Sequence, residues 1–370
     1  MREVGADLVE RGYRSFDLFH ENRWVDTLSI SPSGKMEEHR REEGWAFRFF
    51  TGGLRVHSYS GTSSLPPFPP PQVLHGPSPF DLLPEGIPSP AQRHPGQESD
   101  LWKELRDDLF GGAAGEVRRL RFVKGQREFF NAKGAWGEYP FSWAEILLVT
   151  PTFSATLRSG DVKALLSQWR EAKKSLQPCE GKRLCRASSL RFSPWAASQL
   201  LDFLIPYLYR LPLYTWTGNP SLSLFDDPLL AGGSRGYPFD GEGVPAQRRA
   251  ILSKGTVVGR IVDARSSFRD GGALTGNLAR IDPWTAPLLL PSNVELILDE
   301  TTDREAPQVM RVEESDLEGG ELFLRLVLED GTTTLLAEKI EDFIRRLSRA
   351  SGEKALFGGF SVPPLFWGRP

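Results

Sequence analysis

The segment "PFDGEGVPAQRR", residues 238–249, places two carboxylates and two guanidinium groups close together in the chain. Asp240 and Glu242 are residue types that bind metal ions or act as an acid and base pair. Arg248 and Arg249 are types that hold a carboxylate in a bidentate manner. The segment is therefore a candidate for a metal loop, a phosphate-binding loop, a catalytic carboxylate pair or a structural turn.

The residues around the two carboxylates favour the structural turn. A calcium loop needs more oxygen ligands than Asp240 and Glu242 supply, and a phosphate-binding loop needs a helix N-terminus where this sequence predicts a strand. A catalytic pair stays open, because it would need a third group and a pocket. In the turn, Gly241 and Gly243 take positive φ and Asp240 caps the backbone. The two arginines are then surface residues of a strand that pair with nearby acids.

The elements that must position these residues are typical of an α+β fold. Residues 14–60 predict several short antiparallel strands after a short N-terminal helix. Helical spacing of apolar residues predicts a helix over 161–175 with Asp161 as its cap, and a second helix after Ser193 that Pro206 kinks or ends. The C-terminal half predicts a hairpin around Lys254 and Gly255, strands near 308–313, 321–329 and 332–336, and a helix at 338–348.

These elements divide into two predicted domains. Residues 1–215 form an N-terminal α+β domain of antiparallel sheet with packed helices. Residues 216–370 form a β-rich domain with a barrel-like or sandwich-like shape. Within the first domain, prolines crowd the segment 61–99, and since proline lacks an amide donor we predict an extended connection there.

Composition excludes several classes of function. The chain has 370 residues with a net charge of −3, so it lacks the basic field that binds nucleic acid without sequence preference. No uninterrupted apolar stretch is long enough for a membrane span or a signal peptide. The two cysteines, Cys179 and Cys185, lack the second pair of ligands that a structural zinc site needs. We therefore expect a cytoplasmic protein that binds neither nucleic acid nor membrane.

The segment 222–280 resembles the signature region of the TldD/PmbA family, also called modulators of DNA gyrase. That signature runs "DDP", then "FD.EG....R...I..G.......D...A", then "TGN..R". The matching positions are Asp226, Asp227, Pro228, Phe239, Asp240, Glu242, Gly243, Arg248, Ile251, Gly255, Asp263, Ala264, Thr275, Gly276, Asn277 and Arg280. The strands "EEGWAFRFFTGG" and the turn "FFNAKG" in the N-terminal half are also similar to the family.

The resemblance implies that the catalytic motif of the family is missing. In the catalytic branch, a helix beginning "SPEAAAVLLHE" carries an HExxxH motif whose histidines hold zinc and whose glutamate activates water. The helix "SPWAASQLLDFLIPY" is in register with it and places Asp202, Phe203 and Tyr207 at these three positions. All five histidines lie in the first hundred residues. We therefore expect no catalytic residue, no metal and no cofactor, with zinc present only if a partner subunit supplies it.

A second branch, PmbA or TldE, lacks the zinc motif and pairs with a TldD-like subunit to form a peptidase. The resemblance to it implies a non-catalytic subunit or homologue in peptide or protein proteolysis. The partner would be a TldD-like catalytic subunit or a second copy of this chain, and the substrate a peptide or an unfolded protein. The expected groove or interface residues are Asp240, Glu242, Arg248, Arg249, Thr275, Asn277 and Arg280.

Two alternatives from other classes stay open. One is a stand-alone hydrolase that uses Asp240 and Glu242, together with Asp202, and an unrecognised metal. The other is a protein-binding regulator without enzymatic activity, which the charge balance does not support if its target is a nucleic-acid enzyme. From the residues alone, Asn277 is expected to bond the backbone in a turn rather than to catalyse.

Overall fold

The structure is a computed structural model, and it describes residues 1–50, 56–62, 68, 78–87, 99–110, 117–150, 154–174, 181–182, 188–280, 288 and 290–368. Its helices are α1 (Arg2–Glu10), α2 (Ser99–Phe110), α3 (Val162–Lys174), α4 (Pro194–Leu208), α5 (Ala264–Asp270) and α6 (Ile340–Arg345). Its strands are β1 (Phe16–Ser31), β2 (Gly34–Phe50), β3 (Val56–Thr62), β4 (Val117–Asn131), β5 (Trp136–Val149), β6 (Ser154–Ser159), β7 (Gly181–Lys182), β8 (Ser189–Phe192), β9 (Leu222–Asp226), β10 (Arg249–Ser253), β11 (Thr256–Val257), β12 (Val294–Leu298), β13 (Thr301–Thr302), β14 (Gln308–Glu318), β15 (Glu321–Leu328), β16 (Thr332–Lys339), β17 (Leu347–Ala350), β18 (Ala355–Phe357), β19 (Phe360–Val362) and β20 (Leu365–Gly368). Within these ranges no helix is long and apolar enough to cross a membrane.

The N-terminal half is built around one antiparallel sheet with the strand order β3-β2-β1-β4-β5-β6. β1 and β2 pair over nearly their whole lengths, starting with Phe16 opposite Phe49. The antiparallel arrangement predicted over 14–60 is confirmed, but β1 and β2 are long strands, so the prediction of several short ones is wrong. The charged outer half of β2 continues the ladder because cross-strand ion pairs, such as Arg23 with Glu42, replace apolar contacts there.

Helices cover the N-terminal sheet. Leu8 of α1 packs with Phe16 and Phe47 of the sheet, and α2 and α3 bury Leu105 and Trp169 against β4, β5 and β6. The predicted cap of α3 is confirmed, since the Asp161 carboxylate accepts hydrogen bonds from the first turn of the helix. β6 is left as the outer strand of this sheet.

Part of the proline-rich segment 61–99 belongs to the described residues. A single 3-10 turn spans Pro79–Leu82, and the carboxylate of Asp81 accepts the backbone N–H of Ser78 at 2.7 Å. The side chain of Asn131 donates to the Pro84 carbonyl at 2.9 Å and ties this turn to the sheet. Most of the predicted extended connection lies outside the described residues.

The C-terminal half contains two sheets, with strand orders β11-β10-β9-β12-β19-β18 and β13-β17-β20-β8-β14-β15-β16-β7. α4 begins as predicted, where the Ser193 hydroxyl accepts the backbone N–H of Ala196 at 3.2 Å. The helix buries Leu200 in a core that strands of both sheets share. Pro206 lies inside α4, which ends soon afterwards at Leu208.

The mixed α+β class is confirmed. The described strands do not close into a barrel, so the barrel-like form is wrong and two open sheets share one core instead. β8 and α4 precede residue 215, yet β8 pairs with β14 and β20, and α4 packs in the C-terminal core. The division into 1–215 and 216–370 stays a prediction.

The predicted elements near the C-terminus form with shifted bounds. The hairpin around Lys254 and Gly255 is confirmed, with φ of 46° and 77° at the two turn residues. The helix expected at 338–348 is shorter, because strand pairing takes its two ends. Lys339 is the last residue of β16, and Leu347 is the first of β17.

Candidate functional site

A buried ion-pair cluster joins residues 238–249, which we call the signature loop, to the N-terminal sheet. Arg48 of β2 donates from Nε to Asp17 at 2.9 Å and from its NH1 nitrogen to Glu242 at 3.1 Å. All three side chains are buried. Burial lowers the pKa of Arg48, but Asp17 and Glu242 outweigh that effect and raise it. Glu242 also accepts the backbone N–H of Ala264, the first residue of α5, at 2.8 Å.

Asp240 caps its own loop. One carboxylate oxygen accepts the backbone N–H groups of Glu242 at 2.9 Å and Val244 at 3.0 Å, and the other accepts that of Leu278 at 3.1 Å. The predicted turn is confirmed with one correction. Gly243 has φ of 73°, and Gly241 is not among the residues with positive φ. Asp240 and Glu242 therefore hold backbone in place.

Burial and the neighbouring Glu242 raise the pKa of Asp240 to about 7, and its three backbone donors offset this only in part. We therefore expect the Asp240 carboxyl to be protonated in the folded state and ionised in the unfolded state between about pH 4 and about pH 7.

We expect the free energy of unfolding of the wild type to fall with rising pH across that window, relative to Asp240→Asn, by up to about 1.4 kcal/mol per pH unit. Asparagine resembles the protonated carboxyl in shape and does not titrate, so the variant lacks this slope. Urea unfolding of both proteins at several pH values measures the difference. A difference that is constant over the window would contradict the expectation.

A second buried carboxylate, Asp226 at the end of β9, brings three parts of the chain together. It accepts hydrogen bonds from the Tyr209 hydroxyl at 2.8 Å, the Asn277 amide at 2.7 Å and the Ser292 backbone N–H at 3.1 Å. Its relative exposure is 0%, and burial raises its pKa. The same Asn277 amide donates to the Gln247 carbonyl at 3.2 Å. Asn277 thus bonds the turn, as predicted from its residue type.

The other signature residues also engage local partners. The Thr275 hydroxyl accepts the Val262 backbone N–H at 3.0 Å. Arg280 donates to the Gly241 carbonyl at 3.2 Å, and its guanidinium lies 4.2 Å from the centre of the Phe19 ring. Burial lowers the pKa of Arg280 to about 9. Both side chains connect the signature loop to its surroundings.

Of the two arginines, Arg248 lies just before β10 and Arg249 is its first residue. Arg248 donates to Glu295 at 2.7 Å and lies over the Phe225 ring at 3.6 Å, so it already has an acidic partner within the chain. Arg249 opens β10, opposite Asp226 in the ladder. Arg248 is therefore paired with an acid nearby in the fold, as expected for a surface arginine.

The three positions that the resemblance aligns with a zinc motif do not converge on one site. Asp202 is 67% exposed and forms a 3.7 Å ion pair with Arg235. Phe203 and Tyr207 pack against the C-terminal core, and burial raises the pKa of Tyr207. Zinc needs three or four nitrogen, sulphur or carboxylate ligands, and of these positions only Asp202 offers one. The described residues contain no group of three histidine, cysteine or acidic side chains that could hold a metal ion. The residues at these positions do not fit zinc.

Asp202 instead lines a cleft of about 410 Å³ between the two halves of the chain. Outer strand β6 forms one wall, and the loop between β18 and β19, together with α4, contributes to the others. Its charged lining residues are Glu145, Arg158, Asp202 and Arg235. Sequence reasoning missed the two arginines and Glu145, because no motif links positions on separate strands and loops.

Comparisons with known proteins point to one family. Residues 215–313 match the family model of the PmbA/TldA metallopeptidase C-terminal domain. A metalloprotease of Synechocystis is 31% identical over 84 residues, which span 23% of this chain and 18% of that protein. The match thus covers under a fifth of the length of that relative.

Solved structures share the fold over nearly the whole chain. A proposed modulator of DNA gyrase from Bacteroides thetaiotaomicron has a TM-score of 0.70 at 14% identity, covering 99% of this chain and 96% of that one. A second, from Thermotoga maritima, has a TM-score of 0.70 at 13% identity and covers 99% of both chains. TldE from Thermococcus kodakarensis has a TM-score of 0.63 at 14% identity, with 100% and 99% covered. Residues 215–313 therefore match a domain of the PmbA/TldA metallopeptidases, and the chain shares its fold with these solved structures.

Proposed function

We propose that this protein is a non-catalytic, peptide-binding member of the PmbA/TldD family with a peptidase-related function. The observation that carries the proposal is the cleft beside α4, the helix that bears the metal ligands in the catalytic branch. Here the helix contributes Asp202 to the cleft in place of a zinc ligand. The cleft lies beside this helix, and the resemblance implies that the residues that would activate water are replaced.

The cleft wall suits a peptide in extended conformation. β6 is the outer strand of its sheet, so one side of its backbone has no strand partner in that sheet. Ser154, Thr156 and Arg158 line the cleft and alternate with Leu157, which is buried in the core below. Ala155 borders both the cleft and that core. An added strand gains main-chain hydrogen bonds along such an edge, and its alternate side chains enter the cleft.

The alternative of a stand-alone hydrolase is disfavoured, because its two proposed catalytic carboxylates are engaged in structural contacts. Both oxygens of Asp240 accept backbone N–H groups, and Glu242 is held by Arg48 and the start of α5. A carboxylate used in this way is not free to bind a metal or to activate water without dismantling the loop. No contact in the described residues favours the gyrase-regulator alternative over peptide binding.

Asp202→Trp tests the cleft. Asp202 is exposed, so the larger side chain should fill the cleft mouth without disturbing the core. We expect the affinity for an acetylated Ala/Val hexapeptide, measured by isothermal titration calorimetry, to fall at least about tenfold, or ~1.4 kcal/mol. Lys163→Trp on exposed α3 surface is the matched control and should bind as the wild type does. Equal affinity of the wild type and Asp202→Trp would place the peptide elsewhere.

The proposal includes a partner, either a TldD-like catalytic subunit or a second copy of this chain. Two cysteines in 370 residues are compatible with a reducing compartment, and we propose the cytoplasm as the site of action. Co-purification from the native host, followed by a peptidase assay, distinguishes the two partners. A heteromer should carry peptidase activity that the isolated chain lacks. A homodimer in light scattering, with no co-purifying relative, would support self-association.

A further inference from the structure

Arg158 is a half-buried arginine whose guanidinium forms no hydrogen bond or ion pair among the described residues. It lies on β6 and faces the cleft beside α4. The Nε atom of Arg158 is shielded from solvent, and no hydrogen-bond acceptor lies within reach of it among the described residues. By contrast, Arg48 and Arg127 are both paired with buried acids.

The cleft offsets the charge of Arg158 only in part, through electrostatic attraction by Glu145. Glu145 is opposite Arg158 in the ladder between β5 and β6, yet the two form no ion pair within 4.0 Å. Asp202 is already engaged by Arg235 at 3.7 Å. Burial lowers the pKa of Arg158 to about 9, which shows that the charged form is poorly compensated where it lies. A bound anion would relieve that cost.

The guanidinium is also held in a defined plane. Its central carbon lies 3.5 Å from the centre of the Trp143 ring, and Trp143 is itself buried. Stacking of this kind fixes the direction of the donors and lowers the entropy lost when a planar ligand binds. A carboxylate matches the fork of guanidinium donors, because its two oxygens can each accept one hydrogen bond.

We infer that Arg158 binds a carboxylate of the peptide in this cleft, so that the site selects peptides with a free C-terminus or an acidic side chain. The inference rests on the proposed function and adds the chemical class of the ligand. Peptide backbone on β6 and a carboxylate on Arg158 use the same wall of the cleft.

The experiment compares three acetylated Ala/Val hexapeptides by isothermal titration calorimetry. The first has a free C-terminal carboxylate, the second is amidated, and the third is amidated and contains one internal glutamate. We expect the wild type to bind the first or the third about 10- to 100-fold more tightly than the second, as for a charge-assisted hydrogen-bonded pair. Which of the two binds tightly identifies the source of the carboxylate.

Substitutions at position 158 test whether the preference for carboxylate-bearing peptides depends on Arg158. Arg158→Gln should bind all three peptides with the affinity of the second, and Arg158→Lys should keep part of the preference because it keeps the charge. Arg170→Gln is the control, since Arg170 is an exposed arginine on α3 paired with Glu104. Thermal unfolding of each variant confirms that it is folded. If Arg158→Gln is unfolded, the lysine variant and the wild type still decide the outcome.

The outcomes separate the inference from the function on which it rests. If the wild type binds all three peptides equally, or if Arg158→Gln keeps the preference, the carboxylate site is wrong and peptide binding stands. If no peptide binds, the proposed function itself fails.

Discussion

Arg48→Met should lower the free energy of unfolding by about 3–5 kcal/mol, the cost of leaving buried charge without its partner. Methionine retains much of the side-chain volume, so the loss comes from the charge. Asp17 and Glu242 would be left at 0% and 3% side-chain exposure without the cation that binds both of them. Urea unfolding at pH 7 measures the change.

The loss should also depend on pH. Burial raises the pKa of Glu242 and Arg48 opposes this, so without the arginine Glu242 should titrate at a still higher pH. The folded state of the variant then favours the protonated carboxyl of Glu242. The free energy of unfolding of the variant should therefore rise again as pH falls towards about 4. Arg40→Met on the exposed part of β2 removes ion pairs at the surface and should cost at most about 1 kcal/mol. Equal losses in the two variants would show that the cluster is not structural.

Asp226→Ala should cost about 3 kcal/mol, because it leaves several buried donors without an acceptor. The donors are the Tyr209 hydroxyl, the Asn277 amide and the Ser292 backbone N–H, all within 3.1 Å of this carboxylate. Asp226→Asn should cost less, since one oxygen remains to accept. Chemical denaturation of both variants measures the difference.

The matched control for this pair is Asp303→Ala, which removes an exposed carboxylate from the same half of the chain. It should change the free energy of unfolding by no more than about 0.5 kcal/mol. If Asp226→Ala is as mild as this control, the hydrogen-bond network around β9 contributes nothing measurable, and the signature residues need another explanation.

Local features of this chain were predictable from the sequence. The caps of α3 and α4, the hairpin at Lys254 and the turn capped by Asp240 each depend on a few adjacent residues, and the structure contains all of them. The resemblance to the family signature was also visible, because it is a pattern of residue types at fixed spacing.

The rest depends on contacts between distant residues. Glu242 pairs with Arg48, which is 194 residues away in the chain, and no periodicity in either segment indicates that partner. The long β1 and β2 strands were missed because their outer halves are charged and pair through the ladder and ion pairs. The cleft arginines Arg158 and Arg235 lie on a strand and a loop that only the folded chain brings together.

Peptide binding in the cleft beside α4, without hydrolysis, is the proposed function of this chain. The most direct measurement is mass spectrometry of an acetylated Ala/Val hexapeptide after prolonged incubation with the purified chain and added zinc, at a concentration that saturates binding in calorimetry. We expect saturable binding of the peptide and its recovery in intact form. Cleavage by the isolated chain, or the absence of any saturable binding, would contradict it.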